Sequence, residues 1–251
     1  MRLLILRNIL FLILLPVTGS AQQTIFDDDR TLYKKEIYGG FSAHGDGWGA
    51  NFIHGKYTTA RTRRLLGLEI VGMKHPKEVK SFNPYYEDSR GYFYGKVNAL
   101  ILVRPTYGRK VQIAAKIRRS GVEVNYVWGI GPSLGLLKPV YLQIGKPGIP
   151  YESIVVERYD PNVHFVDDIF GRASWFRGLG ELGFVPGAFG RFGFNFEYAG
   201  PSTSIKAIEV GMTMDAFPKP LEIMAEVEGV KNKQFFFEFY IQLLFGKKHV
   251  R

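Results

Sequence analysis

The chain contains no cysteine in its 251 residues. Disulfides, thiolate metal sites, a cysteine nucleophile and the lipid anchor of a lipoprotein are therefore all excluded. Long apolar runs are also missing. Beyond residue 21 nothing reaches the roughly 18 to 20 consecutive apolar residues that a spanning helix needs, so any membrane crossing by the rest of the chain must use strands. Sustained helical periodicity is scarce as well. Acidic residues are outnumbered, 23 against 33 Lys and Arg, leaving a net charge of +10. No recognition motif for nucleic acid accompanies that charge, and the leader described next directs the chain away from nucleic acid. What is abundant is aromatic residue and glycine, 20 Phe, 14 Tyr and 29 Gly, a composition that favours an all-β protein.

Residues 1–21 carry Arg2 and Arg7, an apolar run over 9–17, and Thr18-Gly19-Ser20-Ala21. A basic start, a short apolar core and small residues at its end are expected of a secretory signal peptide. Residues 22–33, with Asp27-Asp28-Asp29 and no periodicity, read as a periplasmic lead-in. Residues 34–251 are then expected to form one domain.

Within that domain alternation dominates. Segment 234–245, QFFFEFYIQLLF, places Phe235, Phe237, Phe239, Ile241, Leu243 and Phe245 on one face; Glu238, Tyr240 and Gln242 lie on the other. The same two-faced pattern recurs at 36–43, 48–53, 66–71, 92–104, 122–130, 188–198 and 207–216, about eight strands in all. His44-Gly45-Asp46-Gly47 reads as a hairpin turn. Segments 74–90, 145–186 and 217–233 read as loops. In the second of these, Asp160-Pro161 offers a helix start, and Val166, Ile169, Phe170, Ala173 and Phe176 recur at helical spacing until Gly178. A short helix is therefore expected there. Segments 58–63, 105–120 and 200–203 read as connections at the opposite end of the strands.

This pattern resembles the small bacterial outer-membrane β-barrels of the OmpA/OmpX type and the uncharacterised porin-like barrels of Bacteroidota-type Gram-negative bacteria. One departure is that Gly-Lys-Lys-His-Val-Arg follows the last aromatic, Phe245. The resemblance implies a monomeric, antiparallel up-and-down transmembrane β-barrel in the outer membrane, with both termini periplasmic and the longer loops outside.

Under that topology the basic residues sort to one end. Arg61, Arg63, Arg64, Arg109, Lys110, Arg118, Arg119, Lys247 and Lys248 fall near the periplasmic rim. They are expected to form either a collar on anionic outer-membrane lipid or a docking surface for an acidic periplasmic partner protein. On the inward face fall Glu36, Glu69, Lys96, Arg104, Glu123, Arg191, Glu197, Glu209 and Glu238. An eight-stranded interior is just wide enough for side chains, so these are expected to form an ion-paired network filling the lumen. A narrow path for a small solute or hydrophobic ligand is the alternative. A lipid-modifying enzyme is the third reading: His44, His54, His75, His164, Asp46, Asp167, Asp168 and Ser133 are available, yet no spacing forces a Ser and a His together. No catalytic residue, metal site or cofactor is assigned. The expected role is that of a non-catalytic structural or interaction protein.

Overall fold

The computed structural model describes residues 33–115, 121–146, 149–198, 203–226 and 229–250. The expected signal peptide, nearly all of the lead-in, and Arg118 and Arg119 lie outside them. Eight strands form a closed antiparallel barrel: β1 (Lys35–His44), β2 (Gly47–Tyr57), β3 (Thr62–Met73), β4 (Asn98–Ala114), β5 (Val122–Pro139), β6 (Gly183–Tyr198), β7 (Ser204–Ala216) and β8 (Phe235–His249). Every strand pairs with its neighbours in sequence. Closure comes from β1 on β8, from Lys35 opposite His249 to His44 opposite Tyr240.

The period-two pattern orients the wall. Along β8 Phe235, Phe237, Phe239, Ile241, Leu243 and Phe245 are exposed, while Phe236, Glu238, Tyr240, Gln242 and Leu244 are buried. Trp48 and Phe52 on β2, Leu66, Leu68 and Ile70 on β3, and Phe192, Phe194 and Phe196 on β6 extend the outward apolar surface around the barrel. The inward face is predominantly polar. This inverts the arrangement of a barrel folded in water, where apolar side chains would fill the inside.

Connections 45–46, 74–97, 140–182 and 217–234 leave the barrel at the end away from its two terminal strand ends; 58–61, 115–121 and 199–203 join strands at the terminal end. Length is thus concentrated at one end, as the sequence led us to expect.

Three local expectations are corrected. First, no α-helix forms among the described residues of the fifth connection: Val166–Asp168 and Leu179–Glu181 are single 3-10 turns, and Ile169–Arg172 is a strand. It pairs with Tyr141–Lys146, which also pairs with Ser153–Arg158, giving a three-stranded sheet outside the barrel. Burying Ile169 beside Leu142, Ile144, Tyr92 and Tyr159 satisfies in extended form the apolar residues whose spacing suggested a helix. Asp160 instead accepts the N–H of Asn162 in a tight turn.

Second, β4 begins at Asn98 rather than Tyr92. Gly95 takes a positive φ of 77°, and Lys96 bridges to Met224, so Lys96 stands outside the lumen. There it pairs with Glu78 at 2.6 Å.

Third, 105–114 is strand, not connection. Val103 opposite Leu134 and Tyr107 opposite Ile130 bring Pro105 level with Pro132 on β5. Two residues without an N–H thus share one rung, confining the interruption of the ladder to that level.

The end with the long connections is closed from above. Phe217, Leu221, Ile223 and Met224, from the connection between β7 and β8, pack against Val71, Met73, Leu100, Leu102, Val185 and Phe236 of the wall. Asn232 holds this plug in shape. Its Oδ1 accepts the N–H groups of Ile223 and Met224 at 3.0 and 3.1 Å, and its Nδ2 donates to the Met224 carbonyl at 2.8 Å.

Candidate functional site in the barrel lumen

Alternation turns every second residue inward, and the long polar side chains among them meet across the barrel between buried apolar residues such as Ile53, Leu65, Val127 and Leu244. At the terminal end Arg63 bridges Glu36 at 3.5 Å and Glu123 at 2.8 Å, and reaches Asn125 at 3.4 Å. Beside it Glu197 receives both Lys110, at 3.2 Å, and Lys248, at 2.5 Å. At mid-height the Arg191 guanidinium bonds Glu209, the Tyr240 hydroxyl at 3.0 Å and Gln242 at 3.1 Å. Asn195 adds a 3.0 Å bond to Glu209. Above that, Arg104 spans Glu69 and Asp215, and Ser133 donates to Asp215 at 2.7 Å. Next to the plug Glu238 accepts the N–H of Asp46 at 3.3 Å.

Eight of the nine lumen residues read from the sequence are therefore gathered inside the barrel; Lys96 is the exception. The basic rim divides. Arg61, Arg64, Arg109 and Lys247 are exposed at the terminal end, whereas Arg63, Lys110 and Lys248 are buried in the lumen, with Lys110 fully enclosed. The strands run further than expected, and inward parity carries past the apparent turn: Arg63 shares a face with Glu69, Lys110 with Arg104, and Lys248 with Gln242. Sequence reasoning also left Asp215 out of the network, although it shares the inward parity of Glu209. Counting parity through the basic segments would have found the three cations, and Asp215 already stood on the inward face of 207–216.

Of the histidines read from the sequence, His44 is brought beside a serine, Ser42, that the sequence did not single out. His44 Nε2 lies 3.3 Å from Ser42 Oγ and 3.6 Å from Glu69, with Nδ1 4.0 Å from Glu238. This cluster is walled in, with both His44 and Ser42 buried. Ser133 serves Asp215. His75 meets the Lys231 carbonyl at 3.2 Å, and His164 meets Glu157 at 3.1 Å, both in the cap that the long connections 74–97, 140–182 and 217–234 form beyond the barrel. Asp168 caps the N–H of Phe165 at 3.1 Å. Among the described residues no group of three or more His, Asp or Glu side chains could hold a metal ion.

One cavity of about 20 Å³ is bordered by Asn51, Glu69, Thr106 and Arg191 on the inner side of the wall. That is enough for about one water molecule. The class defined by these features is a closed eight-stranded antiparallel β-barrel with an apolar outside, an ion-paired inside and an apolar plug, an architecture consistent with the OmpA/OmpX-like fold. No family model, curated protein or solved structure matches the chain.

Proposed function

We propose that this chain is an outer-membrane β-barrel, anchored with its terminal end in the periplasm, that works as a non-catalytic structural or interaction protein. One observation carries the reading: apolar side chains cover the outside of a closed barrel whose inside is filled with paired charges. In water that distribution would strand greasy surface; in a bilayer the outward face is satisfied, while the inward ions are compensated by one another in either medium. The charge at the terminal end agrees with it. Lys34, Lys35, Lys56, Arg61, Arg64, Arg109, Lys206 and Lys247 are exposed there, while Glu36, Glu123 and Glu197 are turned inward. Such a collar suits the anionic surface of an inner leaflet, each cation contributing about 1 kcal/mol.

The packed lumen and the plug favour a sealed barrel over a solute conduit. Planar-bilayer recording tests this: the reading expects no unitary conductance from the reconstituted protein, and reproducible steps would overturn it in favour of the conduit. The docking variant of the reading is tested by charge reversal at Arg61, Arg64, Arg109 and Lys247. Loss of an acidic protein from a mild-detergent pull-down, with folding unchanged, would support docking. Unchanged co-purification would leave the collar as a lipid contact.

A further inference from the structure

We propose that the cap carries a binding site for a phosphorylated ligand with a ring body, set against the outer wall of β4 and β5. A cavity of about 440 Å³ opens there. Four cationic residues line it, Arg90, Lys96, Lys138 and Arg172, and no carboxylate does. Ala99 and Lys138 sit opposite each other across the β4–β5 ladder at outward parity, so this space lies outside the barrel lumen. The three-stranded sheet and residues 172–175 cover it from the other side.

The arrangement is built, not incidental. Lys138 is 4 % exposed, and among the described residues its ammonium is held by the Arg177 and Pro139 carbonyls, at 3.2 and 3.4 Å, and by the face of Trp175 at 5.4 Å. A buried ammonium with no carboxylate partner among the described residues is incompletely compensated, and an arriving anion would complete it. Tyr92, 1 % exposed and also lining the space, has a hydroxyl without a hydrogen-bond partner among the described residues. The two arginines are brought together by backbone: the Arg172 N–H donates to the Arg90 carbonyl at 3.2 Å. Gly171 makes that approach feasible, because a Cβ there would lie 2.6 Å from the same carbonyl oxygen.

Two guanidiniums and an unpaired ammonium suit phosphate, whose oxygens accept the forked N–H pairs of arginine. The volume exceeds what phosphate alone would fill, and Trp175 and Tyr141 offer apolar faces for a ring. The same chemistry arrives from two sources, a phosphorylated lipid headgroup presented beside the barrel or a soluble sugar phosphate.

The test uses the full chain with Trp48→Phe and Trp128→Phe, leaving Trp175 as the reporter. In phosphatidylcholine vesicles, glucose 1,6-bisphosphate should change Trp175 emission with a Kd below about 1 mM, and glucose should not. Arg172→Gln and Lys138→Gln should each weaken binding about tenfold or more, while Lys219→Gln on the exposed cap should not. If vesicles containing phosphatidylinositol 4-phosphate shift the emission and suppress bisphosphate binding, the site takes a headgroup. If they do neither while the bisphosphate binds, it takes the soluble form. No emission change with either probe up to about 10 mM, or binding that survives both substitutions, overturns the proposal.

Discussion

Arg104 crosses the barrel from β4 to clasp Asp215 on β7 with two parallel hydrogen bonds, Nε to Oδ1 at 3.0 Å and Nη2 to Oδ2 at 2.5 Å. Both side chains are almost wholly buried, and the remaining guanidinium nitrogen reaches Glu69 at 3.4 Å. Removing Arg104 alone leaves two buried carboxylates without their guanidinium, whereas removing Asp215 with it leaves one, Glu69. Arg104→Met should therefore cost about 3–5 kcal/mol of stability, and Arg104→Met with Asp215→Leu distinctly less. Urea unfolding in lipid vesicles, followed by loss of heat-modifiable gel migration, checks the order. A double variant weaker than the single would refute it.

Phe239 and Phe176 are similarly exposed, at 67 % and 75 %, but one faces outward from β8 and the other lies in the cap. Under the proposed orientation only Phe239 contacts hydrocarbon. Phe239→Arg should cost about 2–4 kcal/mol. Phe176→Arg should stay within about 0.5 kcal/mol, measured by the same unfolding assay. Equal costs would contradict a lipid-facing β8.

Asn232 satisfies three backbone groups of the plug with one side chain. Asn232→Ala should cost about 1–3 kcal/mol for each group left without a partner. Hydrogen exchange should show loss of protection confined to residues 221–226. Bilayer recordings should stay silent, since the ion pairs beneath the plug are untouched. Opening of the lumen by this substitution alone would make the plug, and not the network, the seal.

The three-stranded sheet carries its own acid sensitivity. The Lys146 ammonium bonded to Glu157, with His164 as second partner, holds that carboxyl below its ordinary value of 4.5. A lowered folded-state value means the contribution is complete above the ordinary carboxylate range and is lost as pH falls through the lowered value. Hydrogen exchange at Ser153–Arg158 should therefore quicken on strong acidification before the barrel itself opens. Glu157→Gln should abolish that dependence.

Much of the fold could be read from the sequence because a strand with two different environments writes its geometry into every second residue. Phe239 and Glu238 sit on opposite faces for the same reason that they alternate in type. Legibility failed where a residue's type and its parity disagreed. Arg63, Lys110 and Lys248 looked like solvated turn residues, yet each continues a strand inward to meet a glutamate contributed by a strand distant in sequence, which local pattern cannot show. The plug was hidden for a related reason: Leu221, Ile223 and Met224 follow Pro218 and Pro220 with no period, and their burial depends on the width of a barrel closed by other strands. Ile169 shows the converse, a helical spacing satisfied by an extended strand once Leu142 and Ile144 offered it a sheet.

The central claim is that the outward face of the barrel lies in lipid while the inward face is sealed from it. The absence of cysteine makes a direct scan clean: single cysteines placed in turn along Phe235–His249, spin-labelled in reconstituted vesicles, can be probed with molecular oxygen and with a water-soluble nickel complex. The account predicts high oxygen accessibility and low nickel accessibility at Phe237, Phe239, Ile241 and Leu243, and low accessibility to both at Tyr240 and Gln242. Nickel accessibility equal to that of the cap at the outward positions would contradict it.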